Sequence, residues 1–238
     1  MRIFLIALCL TACTKDPPAP PPEVAKSQGA PQAGAKANFT LAPGQAPSPR
    51  AIALCEALHT LPVNKKASCL GAKEAGFMVT PMCIDALSAA LAIGKITLDD
   101  AGIERCKTAM TAATDDCAFA KSFNTPLPAE CDGLIGGTIA AGEPCRSALE
   151  CAAGLQCFGV GPTDLGRCTP PAPVGTVCGS GVDALATYTR QMSTERTRPA
   201  CEGYCRLNHC LAFHPEGAEC QADLQCGPGA KCADKKCR

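Results

Sequence analysis

The chain has 238 residues, of which 22 are Lys or Arg and 22 are Asp or Glu, so its formal net charge at pH 7 is zero. This balance argues against nucleic acid and anionic membrane surfaces as electrostatic partners, because both attract basic proteins. Aromatic residues make up 4% of the chain and Cys reaches 20, so the composition predicts several small disulfide-linked modules and excludes one large core.

The first residues have the pattern of an export signal, which we place at residues 1–12. A short positive start is followed by the apolar run Ile3–Leu10, which is much shorter than the roughly 20 residues that span a bilayer. The run closes on Leu10-Thr11-Ala12-Cys13, which resembles the lipobox of bacterial lipoproteins. The resemblance implies lipidation of Cys13 and membrane attachment through that lipid; the alternative is an ordinary signal peptide with an incidental Cys. Thr14 after the Cys, in place of Asp, favours the outer membrane or cell surface.

A proline-rich stalk follows the predicted lipid site. Residues 14–49 contain nine Pro among Ala, Gly, Gln and Lys, a composition that favours extended chain over packing. We therefore expect residues 13–49 to form a lipidated tether that precedes the first packed element.

Residues 50–140 are predicted to form a helical region with six cysteines. Helix starts are indicated, in chain order, by Ser48-Pro49, Asn64, Thr80-Pro81 and Thr97. Gly76 and Gly94 indicate the ends of the second and third helices. Apolar residues recur at helical spacing within these segments and are interpreted as core.

One disulfide of the helical region is predicted from this pattern. If the last two helices form an antiparallel pair joined by a short turn, Cys83 lies level with about residue 108, within a turn of Cys106. We therefore predict a Cys83–Cys106 disulfide, with Cys69 from the preceding helix as the alternative partner.

A repeated cysteine spacing organises the remainder of the chain. Gly142-x-x-Cys145, Cys151, Gly154-x-x-Cys157 has the same spacing as Gly217-x-x-Cys220, Cys226, Gly229-x-x-Cys232, and Leu149 corresponds to Leu224. A looser unit with an insert lies between them. We predict module 1 at residues 141–169, module 2 at 170–212 and module 3 at 213–238, with little regular secondary structure.

Eighteen cysteines remain after Cys9 in the leader and Cys13, an even number that predicts nine disulfides in an oxidising compartment. Four cysteines per module allow three connectivities, and spacing does not choose among them. The predicted disulfide cysteines are Cys55, Cys69, Cys83, Cys106, Cys117, Cys131, Cys145, Cys151, Cys157, Cys168, Cys178, Cys201, Cys205, Cys210, Cys220, Cys226, Cys232 and Cys237. The fold class is therefore small and disulfide-rich.

The Gly-x-x-Cys, Cys, Gly-x-x-Cys, Cys pattern from Gly142 to Arg238 resembles the Dickkopf N-terminal cysteine-rich domain. The whole chain, leader included, is similar to cysteine-rich lipoproteins of myxobacteria. The resemblance implies the fold type of the modules. It does not imply the ligand, because the Wnt co-receptors that Dickkopf proteins bind in animals are absent from bacteria.

The insert at residues 179–200 departs from the module pattern. Val182, Leu185, Thr189 and Met192 are spaced for an amphipathic helix. We expect this helix to pack on its own module, with Arg190, Arg196 and Arg198 in solvent. The alternative is an interaction surface.

No catalytic constellation emerges from the sequence. Cys205, His209, Cys210 and His214 together have the chemistry of a zinc set, but pairing of the thiols as disulfides would remove the ligands. No cysteine is left over as a nucleophile, so we predict a non-enzyme with no metal and no cofactor.

The expected function is display of an interaction module at the cell envelope, with a macromolecular partner that contacts the loops after Cys157 and Cys178. Alternatives are an inhibitor of secreted proteases and a structural envelope component.

Overall fold

The structure is a computed structural model that describes residues 39–72, 79–122, 126–161, 164–178, 183–191 and 199–238. The predictions for the leader, for Cys13 and for the stalk up to residue 38 lie outside the described residues. Within the described ranges, no helix is both long and apolar enough to cross a membrane.

The helical region begins with one long helical run instead of two separate helices. Helix α1 (Pro49–Cys55) continues through a π-helical turn (Glu56–Thr60) into α2 (Leu61–Cys69). The predicted start at Pro49 is confirmed, because Pro is favoured in the first helical turn. The predicted cap at Asn64 is wrong: Asn64 lies inside α2, which ends before Gly71, where φ is +66°.

The second half of the helical region contains a small sheet that the sequence pattern did not predict. Helix α3 (Thr80–Ala92) is followed by strand β1 (Ile96–Leu98), helix α4 (Asp100–Ala113), two 3₁₀ turns (Ala118–Lys121 and Ala129–Cys131) and strand β2 (Ile135–Gly137). Strands β1 and β2 are antiparallel, with Thr97 opposite Gly136. Thr97 is therefore a strand residue, and α4 begins after Asp99.

Helix α1 packs against both α3 and α4 and organises the largest core. Leu54, Leu58 and Leu87 are fully buried there, together with Met110. At the surface, the Arg50 guanidinium donates to the Asp100 carboxylate and to the Leu98 carbonyl, which ties α1 to the start of α4.

The predicted Cys83–Cys106 disulfide is wrong. Cys83 pairs with Cys55 of α1, and Cys106 pairs with Cys131. The alternative partner, Cys69, pairs with Cys117. The prediction assumed that α3 and α4 form a simple helical hairpin, whereas β1 lies between them and α1 packs against both.

Phe39, which lies within the predicted stalk, is packed in the helical core. Phe39 is buried, and the Arg146 guanidinium of module 1 lies 4.1 Å from the centre of its ring. This geometry is a cation–π contact. Phe39 therefore links the start of the described chain to module 1.

All 18 predicted cysteines form disulfides, nine in total. In each C-terminal module the first cysteine pairs with the third and the second with the fourth. The module pairs are Cys145–Cys157 with Cys151–Cys168, Cys178–Cys205 with Cys201–Cys210, and Cys220–Cys232 with Cys226–Cys237. Module 2 therefore has the same connectivity as modules 1 and 3 despite its insert.

The modules also share one backbone plan. Module 1 is a three-stranded sheet in which β5 (Gly166–Thr169) lies between β3 (Pro144–Cys145) and β4 (Gln156–Phe158). Modules 2 and 3 each have a hairpin, β6–β7 (Tyr204–Arg206 and His209–Leu211) and β8–β9 (Cys232–Ala233 and Lys236–Cys237). In both, the segment of the first cysteine pairs with the last strand through the bridges Val177–His209 and Glu219–Lys236.

Each module requires glycine three residues before its first cysteine, for the same structural reason in all three modules. Its φ lies between +79° and +89°, the conformation that a type II turn requires at its third residue. Its N–H donates to the carbonyl of the last cysteine of the module. The three equivalent bonds are Gly142 to Cys168 (2.7 Å), Gly175 to Cys210 (2.8 Å) and Gly217 to Cys237 (2.8 Å).

A buried acceptor before the second cysteine braces modules 1 and 3. The Glu150 carboxylate accepts the Arg146 backbone N–H at 2.7 Å and also pairs with the Arg146 guanidinium. At the equivalent position, the Gln225 side-chain oxygen accepts the Gln221 backbone N–H at 2.6 Å. Both side chains satisfy a backbone donor that the module fold would otherwise leave without a partner.

Candidate functional site

Disulfide bonds remove the two cysteine ligands of the candidate zinc site. Cys205 and Cys210 are each bonded to another cysteine, so neither offers a thiolate to a metal. His214 is also occupied: its Nδ1 lies 2.6 Å from the Glu219 carbonyl oxygen and its Nε2 lies 3.0 Å from the Tyr204 hydroxyl. The Tyr204 and His214 rings meet edge to face, so this pair joins module 2 to module 3.

The described part of the insert packs on the helical region and not on its own module, so that prediction is corrected. Helix α5 (Ala184–Tyr188) buries Leu185 and Ala186 in the helical core. Asp183 caps α5 through the Ala186 N–H, and its other carboxylate oxygen accepts from the Ser147 hydroxyl of module 1. Val182, Met192, Arg196 and Arg198 lie outside the described residues.

Polar side chains after α5 complete this docking. Gln191 is buried; its amide nitrogen donates to the Cys131 carbonyl at 2.8 Å and its oxygen accepts the Gly133 N–H at 2.9 Å. The Arg190 guanidinium donates to the Leu58 carbonyl at 3.1 Å, and burial lowers its pKa. Arg190 is therefore a structural contact, in contrast to the solvated arginine that we expected.

His59 forms a further polar contact between the insert and the helical region. Its Nε2 lies 2.6 Å from the Tyr188 carbonyl oxygen, which requires the proton on Nε2. Burial lowers the pKa of His59, the hydrogen bond to Tyr188 opposes that shift, and the positive charge of Arg190 adds to it. The neutral ring is the form that fits this interface.

The two loops predicted to contact a partner differ in how much exposed surface they offer to it. In the loop after Cys157, Phe158 is partly exposed and Val160 is buried. In the loop after Cys178, residues 183–191 are committed to the helical region, as described above. The described part of that second loop is therefore not a free recognition surface.

A preformed apolar cleft lies between modules 2 and 3. Its volume is about 530 Å³, which is within the usual range of ligand sites. Apolar side chains from both modules form its walls, namely Pro171, Pro199, Phe213, Leu224 and Pro228. Proline side chains are rigid, and modules 2 and 3 together contain four disulfides, so little conformational entropy remains to be lost when the cleft is filled.

Module 1 can be compared with module 3 at this cleft, because the two modules share the same cysteine spacing. Leu149 of module 1 and Leu224 of module 3 are equivalent in the cysteine spacing. Leu149 is fully buried in the helical core, where α5 and β2 lie over it. Leu224 is half-buried and lines the open cleft. The same module face that is covered by protein in module 1 is therefore open in module 3.

A second exposed apolar feature is the tip of the β6–β7 hairpin. Leu207 is 86% exposed and has a φ of +51°, and Asn208 follows at +63°. These values belong to the left-handed region, in which a Leu is uncommon. Asp234 and Lys235 occupy the equivalent turn of module 3 with the same conformation, so the turn geometry is a property of the module and the exposed Leu is particular to module 2.

The fold and these surfaces define a disulfide-rich, exported type of protein built from a helical region and three copies of a four-cysteine module. No family model, no curated protein and no solved structure matches the chain.

Proposed function

We propose that this protein is a cell-envelope lipoprotein that displays a binding module, and that its macromolecular partner docks in the cleft between modules 2 and 3. The observation that carries the proposal is the open apolar cleft, whose equivalent face in module 1 is covered by protein. Apolar surface of this kind gains about 25 cal/mol for each Å² that a partner covers. No catalytic step is part of the proposal.

The anchoring part of the proposal rests on the sequence. Cys13 in Leu10-Thr11-Ala12-Cys13 is the proposed lipid site, and the outer membrane or cell surface is the proposed location. The nine disulfides support export to an oxidising compartment.

Protease inhibition has less support than docking in the cleft. The most exposed apolar side chain on a rigid hairpin is Leu207, which an inhibitor would insert into a specificity pocket. A protease binds its substrate as an extended strand, whereas the left-handed φ values of Leu207 and Asn208 turn the chain back on itself.

Crosslinking on living cells, followed by affinity capture of the lipoprotein, tests the proposal. Pro228→Lys and Leu224→Lys each place a charge on the cleft wall and should abolish capture of a discrete partner. Glu216→Lys is the matched control for Pro228→Lys, because Glu216 and Pro228 occupy the second residue of equivalent type II turns.

The control variant should capture the partner as the wild type does. Capture that is equally strong in all the variants would contradict docking in the cleft. Disulfide mapping of each variant establishes that the modules remain folded.

A further inference from the structure

The cleft contains a backbone donor that the other modules do not leave free. In modules 1 and 2, the residue after the second cysteine donates its N–H to the extended segment beside it, through Ala152 to Ile139 at 2.8 Å and Glu202 to Ala172 at 2.9 Å. Gly227 occupies this position in module 3, and its N–H has no partner among the described residues. Buried or half-buried N–H groups are usually paired, so the repeat indicates a missing acceptor at the cleft.

The conformation of Gly227 explains why the bond is lost. Its φ is +84°, and a Cβ at this position would lie 3.3 Å from Cγ of Phe213, which packs over it. The backbone therefore turns away from the neighbouring strand and places Gly227 on the cleft lining. Gly229, two residues later, also lines the cleft and also lacks a partner for its N–H among the described residues.

Three charged residues line the cleft, and one of them, Asp223, accepts the Cys232 N–H at 2.8 Å. Glu202 from module 2 and Lys231 from module 3 both line the cleft and are exposed. Neither side chain forms an ion pair within the described chain. The cleft therefore combines apolar side chains, the backbone of Gly227 and Gly229, the bonded carboxylate of Asp223, and the exposed side chains of Glu202 and Lys231.

We infer that the ligand of the cleft is an extended peptide segment that carries an apolar side chain between groups of opposite charge. A peptide carbonyl would accept the Gly227 N–H, as the Ile139 and Ala172 carbonyls accept the equivalent N–H groups in modules 1 and 2. The apolar side chain fills the space between Phe213 and Leu224, a basic group faces Glu202 and an acidic group faces Lys231. Extended peptides have unpaired carbonyls available for such bonds. This inference rests on the proposed function, because it names the ligand class of the same cleft.

An NMR titration of the isotopically labelled, oxidised protein tests the inference. The probes are a short synthetic peptide with leucine and proline at its centre, lysine on one side and glutamate on the other, and the peptide with these charges interchanged. One of the two should give a saturable shift of the Gly227 amide signal. The Ala152 amide, which is already bonded to Ile139, should not shift and is the internal control.

A charge exchange makes the result specific for the proposed ligand. Glu202→Lys should weaken binding of the better peptide about two- to fivefold, the size expected for one exposed ion pair, and replacing the peptide lysine by glutamate should restore it. Glu216→Lys, outside the cleft, should leave the affinity unchanged. Shifts that are insensitive to this exchange would overturn the charge assignment.

The outcomes separate this inference from the proposed function. Absence of any Gly227 shift, together with partner capture on cells that still depends on Pro228, would overturn the peptide assignment and leave docking in the cleft intact. Loss of both the Gly227 shift and the dependence on Pro228 would overturn both.

Discussion

Replacing Leu185 by Ala should destabilise the helical region, although Leu185 lies in the insert of module 2. The side chain is fully buried, and its neighbours belong to the core formed by α1, α3 and α4. A buried Leu→Ala change loses both the transfer free energy and the contacts around the cavity, so we expect a loss of about 3 kcal/mol. With a urea m-value of about 1–3 kcal/mol/M, the unfolding midpoint should fall by about 1–3 M.

Leu207→Ala is the matched control for this change, because it alters the same residue type in the same module. Leu207 is 86% exposed, so its replacement should shift stability by less than about 0.5 kcal/mol. Urea unfolding of the oxidised protein, followed by the helical circular dichroism signal, compares the two variants. Equal midpoints for Leu185→Ala and Leu207→Ala would refute the docking of the insert on the helical region.

Three further predictions follow from individual contacts. Cys13→Ala should move the protein from the membrane to the soluble fraction, because buried acyl chains contribute about 0.8 kcal/mol per methylene; fractionation with radiolabelled lipid measures this. Burial holds the pKa of His59 below 6.5 in the folded state, so the contribution of His59 to stability is full above pH 6.5 and declines as the pH falls below it. Between about pH 8 and about pH 5, the urea midpoint of His59→Gln should therefore change less than that of the wild type. Glu150→Ala should cost about 1–3 kcal/mol of unfolding free energy by leaving the Arg146 N–H without its acceptor, whereas Glu150→Gln should retain most of that stability, as the Gln225 brace of module 3 indicates.

The cysteine framework was the most predictable part of the fold. Composition and an even count of eighteen were sufficient to predict nine disulfides, and the repeated spacing identified the modules. Connectivity was not predictable, because four cysteines in a short chain are all close enough to pair in any combination. All three modules have the same connectivity. The third and fourth cysteines lie opposite each other on a hairpin, as Cys205 and Cys210 do, and each of them forms a disulfide with a segment outside that hairpin.

Contacts between distant segments account for the wrong predictions. Helical spacing identified the buried faces of α3 and α4, but it could not show that α1 packs against both, so Cys83 was assigned to the wrong partner. Strands β1 and β2 have three residues each, which is too short for a recognisable alternation pattern. The insert was correctly given a short helix, but its docking surface lies more than 50 residues away in the sequence, as the Gln191–Cys131 bond illustrates.

The candidate site was only partly visible in the sequence. The equivalence of Leu149 and Leu224 was available from the spacing, and it became informative when one of them proved covered and the other open. The lack of a partner for the Gly227 N–H within the described part of the chain could not be predicted, because the spacing does not show which bridge of the repeat is lost.

Site-specific photocrosslinking on living cells tests whether a partner occupies the cleft. A photoreactive amino acid at position 224, inside the cleft, is compared with the same amino acid at position 216, an exposed turn outside it. A discrete covalent adduct of the protein should form from position 224 and none from position 216. An adduct that forms equally from both positions, or from neither, would contradict docking of a partner in the cleft between modules 2 and 3.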